Sequence, residues 1–339
     1  MIQPMPKDIY KSEYDYEVPD ELIAKFPPKN RVDSKLLSYT GQNFNIDPFQ
    51  MISKFFKKDD LIVFNETKVF KARLLLTKES GGKAEIFINK ICNKFEALCL
   101  TKSLNLKKKK QLLKTDNFPL KINILNNENG LTHIKFDQNI TKLCESIGHV
   151  PIPPYLNRAD RETDRERYQT VFANHRFTDS AAAPTASLHF DDELFNSVNK
   201  NFNTCKISLA VGLGTFKSLS DEPITETSTL HDEDFFISDE SAKLISNQIK
   251  NNQRVVAIGT TTLRALEAAW CNKLNVIKPG KHTTNIFIKE GYKFNVVNSL
   301  ITNFHLPQSS LLMLVSAFSG KKFILSAYKY AIEKKLRFF

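Results

Sequence analysis

Several functional classes are closed to this chain by what it lacks. Behind Met1 there is no secretory apolar stretch, because Pro4, Pro6 and Lys7 interrupt it at once. The most apolar run, residues 311–318, is far too short to span a bilayer, so no membrane partner is expected. The five cysteines (Cys92, Cys99, Cys144, Cys205, Cys271) are odd in number and form no CxxC pair. The seven histidines supply no close Cys/His set for tetrahedral zinc, so no metal is expected. "VGLGTF", starting at Val211, contains Gly212 and Gly214 but lacks the third glycine of a dinucleotide loop. No internal repeat is visible. These absences leave a soluble, reduced, cytoplasmic protein as the expectation.

What is present starts with charge. Lys and Arg number 48 against 37 Asp and Glu, a formal net charge of +11 over 339 residues. The excess favours a polyanionic partner such as nucleic acid, or an anionic membrane surface, and residues 107–110 concentrate it in four consecutive lysines. A run of this kind is equally compatible with a plain solvated face.

Texture changes twice along the chain. "YEVPDELIAKF" predicts a short helix after Pro19, and "DDLIVFNETKVF" an apolar strand that runs into a polar turn. Beyond it, "ARLLLTKESGGKAEIFINK" and "LKINILNNENGLTHIKF" each place two β-rich runs around a glycine turn, the signature of hairpins. Past Gly148, Pro-rich "GHVPIPPYLNR" reads as an extended connector, and "DRETDRERYQTVF" as a helix start. Strands ("CKISLAVGLGTF", "QRVVAIG") then alternate with helices ("TTLRALEAAW", "SSLLMLVSAF", "FILSAYKYAIEKKL"). The pattern predicts a mixed α/β main body, residues 1–64 and 148–339, with an inserted antiparallel β-barrel-like domain at residues 65–147. In the helix after Pro307, Leu311, Leu314, Val315 and Phe318 form the apolar stripe, Ser309 or Ser310 caps the start, and Gly320 ends it.

Two places carry candidate chemistry. "VVAIGTTTLRALEAA" runs from a strand through Gly259 into a helix start, where free N–H groups favour an anionic or polar ligand group. An ordinary capped helix is the simpler reading, with Arg264 and Glu267 as an i, i+3 surface pair. "ITNFHLPQSS" packs Thr302, Asn303 and His305 directly before a buried helix, and Pro307 holds Leu306 extended so that His305 cannot join it. Histidine, with an ordinary pKa of about 6.5, accepts or donates a proton near neutrality. His189 in "APTASLHF" is a second candidate, although a lone histidine is more often structural.

The chain resembles the S-adenosylmethionine:tRNA ribosyltransferase-isomerases of queuosine synthesis. The resemblance rests on "DDLIVFNETKVFKARL", "GHVPIPPY", "DRERYQTVFA", "AAAPTASLHF", "AIGTTTLRALEAA" and "ITNFHLPQSSLLMLVSAF". It implies an α/β body with an inserted β-barrel, S-adenosylmethionine as co-substrate, and tRNA carrying preQ1 at the wobble position as partner. The implied product is epoxyqueuosine-tRNA, with release of adenine and methionine by a monomeric enzyme. Such a reaction needs a base for the proton beside the sulfonium, hydrogen bonding to departing adenine, and fixed donors for charge developing on ribose oxygen. His189, Thr302, Asn303 and His305 are the candidates for these catalytic tasks. Arg158, Arg167, Tyr168, Gln169, Thr261, Arg264 and Glu267 are candidates for binding substrate. Cofactor binding is expected to need no residue of the insertion. Departures from the family pattern (Lys35 and Lys68 for arginine, Ala210 for histidine, Ser187 for glycine, Asn285 and Asn298 for aspartate, no tail after "RFF") leave a second class open. That alternative is a fold-retaining, catalytically weakened RNA- or nucleotide-binding relative.

Overall fold

A computed structural model describes residues 8–128, 130–174, 180–212 and 219–339. Its main sheet has six strands in the order Gly280–Thr284, Glu233–Ile237, Asn203–Leu209, Leu61–Asn65, Val255–Ile258, Ser299–Ile301. The last four are parallel and the first two join antiparallel. Leu61–Asn65 and Val255–Ile258 are buried at every position, as central parallel strands covered on both faces must be. Side chains alternate across a strand, so these apolar runs feed two cores. Leu61, Val63, Val255 and Ala257 enter one, and Ile62, Phe64, Val256 and Ile258 the other.

The second body is a closed antiparallel barrel of Arg73–Lys78, Lys83–Asn93, Glu96–Lys102, Leu131–Phe136, Pro119–Glu128 and Lys110–Lys114, in that order around the ring. Leu74, Leu76, Ile86, Ile88, Leu113, Leu120, Ile122 and Ile134 fill it, and closure leaves no unpaired edge strand. Both anticipated hairpin turns carry a glycine at positive φ, Gly81 at 84° and Gly130 at 78°. Asn129, anticipated beside Gly130, lies outside the described residues, as does the 213–218 part of "VGLGTF". At the way out of the barrel, a Cβ on Gly148 would meet the Lys71 carbonyl oxygen at 2.2 Å, so no larger residue fits there.

Two local expectations need correction. The helix anticipated after Pro19 is only a three-residue turn, Asp20–Leu22, and the arginine donors described below hold the following segment in extended form. In Ser310–Ser319 the buried positions are the consecutive residues 312–316, while Leu311 and Phe318 are half-buried. The helix is enclosed on more than one side by the core and by Lys321–Glu333, so a single stripe does not describe it. Ser309 is the cap, its Oγ accepting from the Leu312 N–H, and Gly320 turns the chain at φ 93°. No single helix among the described residues is long and apolar enough to cross a membrane.

Candidate active site

Strand Ser299–Ile301 is the edge of the sheet, and the polar loop that follows it opens onto a cavity of about 870 Å³. That is the volume of a site for one large or two small ligands. Thr302 and Asn303 line it, and His189 reaches it from the helical turn Thr185–His189. His189 Nε2 lies 2.8 Å from Asn303 Oδ1, so three chain segments meet at one point: the sheet edge, the 185–189 turn, and Phe49, whose ring centroid is 5.1 Å from that of His189. With the amide oriented this way, Nε2–H is the donor and Nδ1 keeps its lone pair. Burial pushes the His189 imidazole below its ordinary range, against the Asn303 hydrogen bond, so it is neutral at pH 7.

His305 does something different. Its ring is not among the lining side chains, and the residue is 7% exposed. Its Nε2 sits 3.2 Å from Thr302 Oγ1, its backbone N–H donates to the Tyr328 hydroxyl at 2.9 Å, and its carbonyl accepts from the Tyr16 hydroxyl. Burial pushes its imidazole down to about 3. The expectation that His305 titrates near neutrality is therefore corrected. In the core the charged form loses its hydration, and no carboxylate compensates it.

Eight cationic side chains line the cavity against two carboxylates, Asp33 and Asp164. Their arginines already have partners. Arg158 forks onto Asp164 and donates to the Lys25 carbonyl at 2.7 Å. Arg167 donates to the Pro28 and Lys29 carbonyls, and Arg31 to those of Glu166 and Leu188. Arg254 pairs with buried Asp60, and Arg337 donates to the Phe26 carbonyl. Burial works to raise the Asp164 carboxyl, but the Arg158 fork and the Arg161 N–H hold it below its usual value. Tyr168 also lines the cavity, and burial pushes its phenol up, so it stays protonated.

The remaining candidates lie elsewhere. Gln169 accepts from the Val69 N–H and donates to the Val69 carbonyl, which pins the chain where it enters the barrel. Thr261 Oγ1 is 3.3 Å from Asn65 Nδ2 and lines neither this cavity nor the cleft described next. Glu267 is 5% exposed and accepts from the N–H groups of Asn295, Val296 and Val297 and from the Tyr292 hydroxyl. Arg264 does not pair with it. It pairs with Glu233, both side chains being 4% exposed. Helical spacing put Arg264 and Glu267 three residues apart, but the sheet and the 292–297 loop gave each another partner.

Glu233 was not anticipated from the sequence. It lines a second cleft of about 400 Å³ at the seam between barrel and body, where its Oε1 accepts from the Gly212 N–H at 3.1 Å. The walls are Asn89, Lys90 and Ile91 from the barrel, and Ser208, Ala210 and residues 232–236 and 281–283 from the body. Lys90 and Asp234 form an ion pair across the seam at 2.5 Å. Only the burial of a carboxylate against Arg264 marks Glu233, and 30 intervening residues hide that pairing from the sequence. The large cavity takes no side chain from residues 65–147, whereas the seam cleft does. Among the described residues, no group of three His, Cys, Asp or Glu is placed to hold a metal ion.

The family described as Queuosine biosynthesis protein matches residues 11–339. An S-adenosylmethionine:tRNA ribosyltransferase-isomerase of Legionella pneumophila (strain Lens) is 39% identical, covering 97% of each chain. One of Vesicomyosocius okutanii is 40% identical over 96% of this chain and 94% of its own. Among solved structures, the S-adenosylmethionine tRNA ribosyltransferase of Thermotoga maritima aligns with a TM-score of 0.52 at 28% identity, covering 97% of each chain.

Proposed function

The chain belongs to the family of queuosine biosynthesis proteins, and we propose on that premise how its large cavity serves the family's reaction. The activity is that of a transferase that moves and isomerises the ribosyl group of S-adenosylmethionine on tRNA. Similarity over 97% of the chain to named enzymes favours this over a non-catalytic relative. The acceptor is preQ1 at the wobble position, and adenine and methionine leave. Residues 1–64 and 148–339 act as the catalytic body and residues 65–147 as an insertion. The enzyme works as a cytoplasmic monomer without a metal.

One observation carries the reading: His189 and Asn303, from distant segments, meet at 2.8 Å in a cavity rich in cations. A neutral imidazole whose Nε2–H is held by Asn303 has its Nδ1 lone pair free, the form a general base requires. His189 is assigned the removal of the proton beside the sulfonium, and Asn303 fixes its tautomer and orientation. Thr302 supplies a hydroxyl donor to charge that develops on oxygen as the ribose opens. His305 acts through Thr302 and is a positioning residue rather than a proton carrier. Arg158 and Arg167 form the wall by holding residues 25–29, and Tyr168, its phenol buried and protonated, packs into the same lining.

The test is direct. Purified protein incubated with S-adenosylmethionine and preQ1-containing tRNA should release adenine stoichiometrically with the gain in mass of the tRNA. Release that does not depend on tRNA, or no release at all, would overturn the assignment.

A further inference from the structure

Of the nine arginines among the described residues, eight have their guanidinium in a hydrogen bond or an ion pair. The exception is Arg161. Its guanidinium lies over the Phe26 ring, 4.3 Å from the centroid, and its charge helps to hold the Asp164 carboxyl down from beyond ion-pair distance. Arg158 packs on the same ring at 4.5 Å but is fully occupied by Asp164 and by the Lys25 and Ala159 carbonyls.

This placement is built. Phe26 lines the large cavity yet is 42% exposed, so it stands at the rim. Its backbone cannot drift, because the carbonyls of Lys25, Phe26, Pro28 and Lys29 accept from Arg158, Arg337 and Arg167. The Arg161 backbone is fixed as well, its N–H donating to Asp164 at 2.8 Å at the start of helix Glu162–Arg167. A long flexible cation held at both its backbone and its head has lost most of the freedom that binding would otherwise cost. The residue is exposed, and its forked N–H donors match the geometry of a phosphodiester, whereas a lysine would offer only a point charge.

We propose that Arg161, laid on Phe26, is the phosphate-binding arginine at the rim of the cavity and contacts a backbone phosphate of the tRNA beside the nucleotide undergoing modification. The proposal rests on the functional reading above and adds the residue that docks the RNA. Lys25 and Lys35, exposed on the same lining, add charge without direction.

The experiment is a titration of tRNA binding across a salt series, with S-adenosylmethionine binding measured in parallel. Arg161→Ala should weaken tRNA binding about five- to tenfold at low salt. It should lower the slope of log affinity against log salt by about 0.7, the share of one single-strand phosphate. Phe26→Leu keeps the charge but removes the platform, so it should weaken binding less and retain the slope. Arg165→Ala, on the short helix that follows Arg161 but paired with Glu162, should leave the slope alone. An Arg161→Ala slope equal to that of the unmodified protein overturns the proposal. So does a loss of S-adenosylmethionine affinity with the tRNA slope intact, which would make Arg161 a carboxylate contact. Failure of the unmodified protein to bind tRNA overturns the functional reading instead, and this proposal with it.

Discussion

His189 and His305 each hydrogen-bond to the same short loop, yet they sit in different regions of the molecule. His189 meets Asn303 at the wall of a cavity lined by eight cations. His305 meets Thr302 from the packed side, where two tyrosines hold its backbone. Both imidazoles are pushed down by burial, but only one is placed where its state could matter to a ligand. Histidine identity, loop position and pKa shift are therefore poor guides to chemistry when taken alone. The face on which the side chain emerges decides. Glu267 extends the comparison: it has the look of a binding carboxylate, but all its contacts are to the protein's own loop.

The comparison breaks most readily at His189. Replacing it with alanine should slow adenine release by roughly a hundred- to ten-thousand-fold while the melting temperature changes little. Near-normal turnover from folded protein would remove the cavity wall from the chemistry. Glu267→Ala should do the reverse. Three backbone N–H groups lose their acceptor, at about 1–3 kcal/mol for each one left unsatisfied, so urea unfolding should shift by several kcal/mol. Adenine release per folded molecule should stay near normal, and a selective loss of turnover would put Glu267 back among the functional residues.

A smaller effect sharpens the contrast between the histidines. His305 titrates at about 3 when folded and near its ordinary 6.5 when unfolded. Between those pH values the unfolded chain binds more protons, so stability falls as pH drops through the window. One such group contributes a slope of at most about 1.4 kcal/mol per pH unit. His305→Leu should flatten the dependence of the guanidinium midpoint on pH between 7 and 4, with turnover of the folded fraction reduced far less than in His189→Ala. A midpoint whose pH dependence is unchanged would show that His305 is not buried in its neutral form.

The smallest effect concerns residues 107–110. Lys108 faces Glu79 at 3.5 Å and Lys109 donates to the Leu125 carbonyl, which leaves Lys107 and Lys110 as the freer pair. Changing all four lysines to glutamine should therefore lower the salt slope of tRNA binding by no more than about 1.4, two single-strand phosphates, and leave the melting temperature unchanged. A drop of several units would make the barrel, rather than the cavity rim, the main RNA contact.

Much of this was legible in the chain. Period-two apolar runs around Gly81 and Gly130 announced the barrel's hairpins, because alternation and a left-handed glycine are local requirements. Continuous apolar runs at Leu61–Asn65 and Val255–Ile258 announced buried strands, because a strand covered on both faces is apolar throughout, while their parallel pairing came from the fold. Ser309 and Gly320 marked the limits of a helix through backbone valences that only neighbouring residues can satisfy. The motif "ITNFH" singled out a loop that lines the large cavity, and "APTASLH" the segment whose histidine meets it.

What the chain could not reveal is which way each polar side chain faces and which distant group it meets. Asn303 joins His189 across 114 residues, Arg264 joins Glu233 across 31, and Arg158 reaches Lys25 across 133. The propensities that build strands, turns and caps act over a few neighbours, and sequence displays them directly. Burial, desolvation and hydrogen-bond pairing depend on what the whole fold brings within a few ångströms. For that reason the tertiary structure alone placed His189 at the cavity wall, drew His305 into the core, and laid Arg161 on the Phe26 ring at the rim.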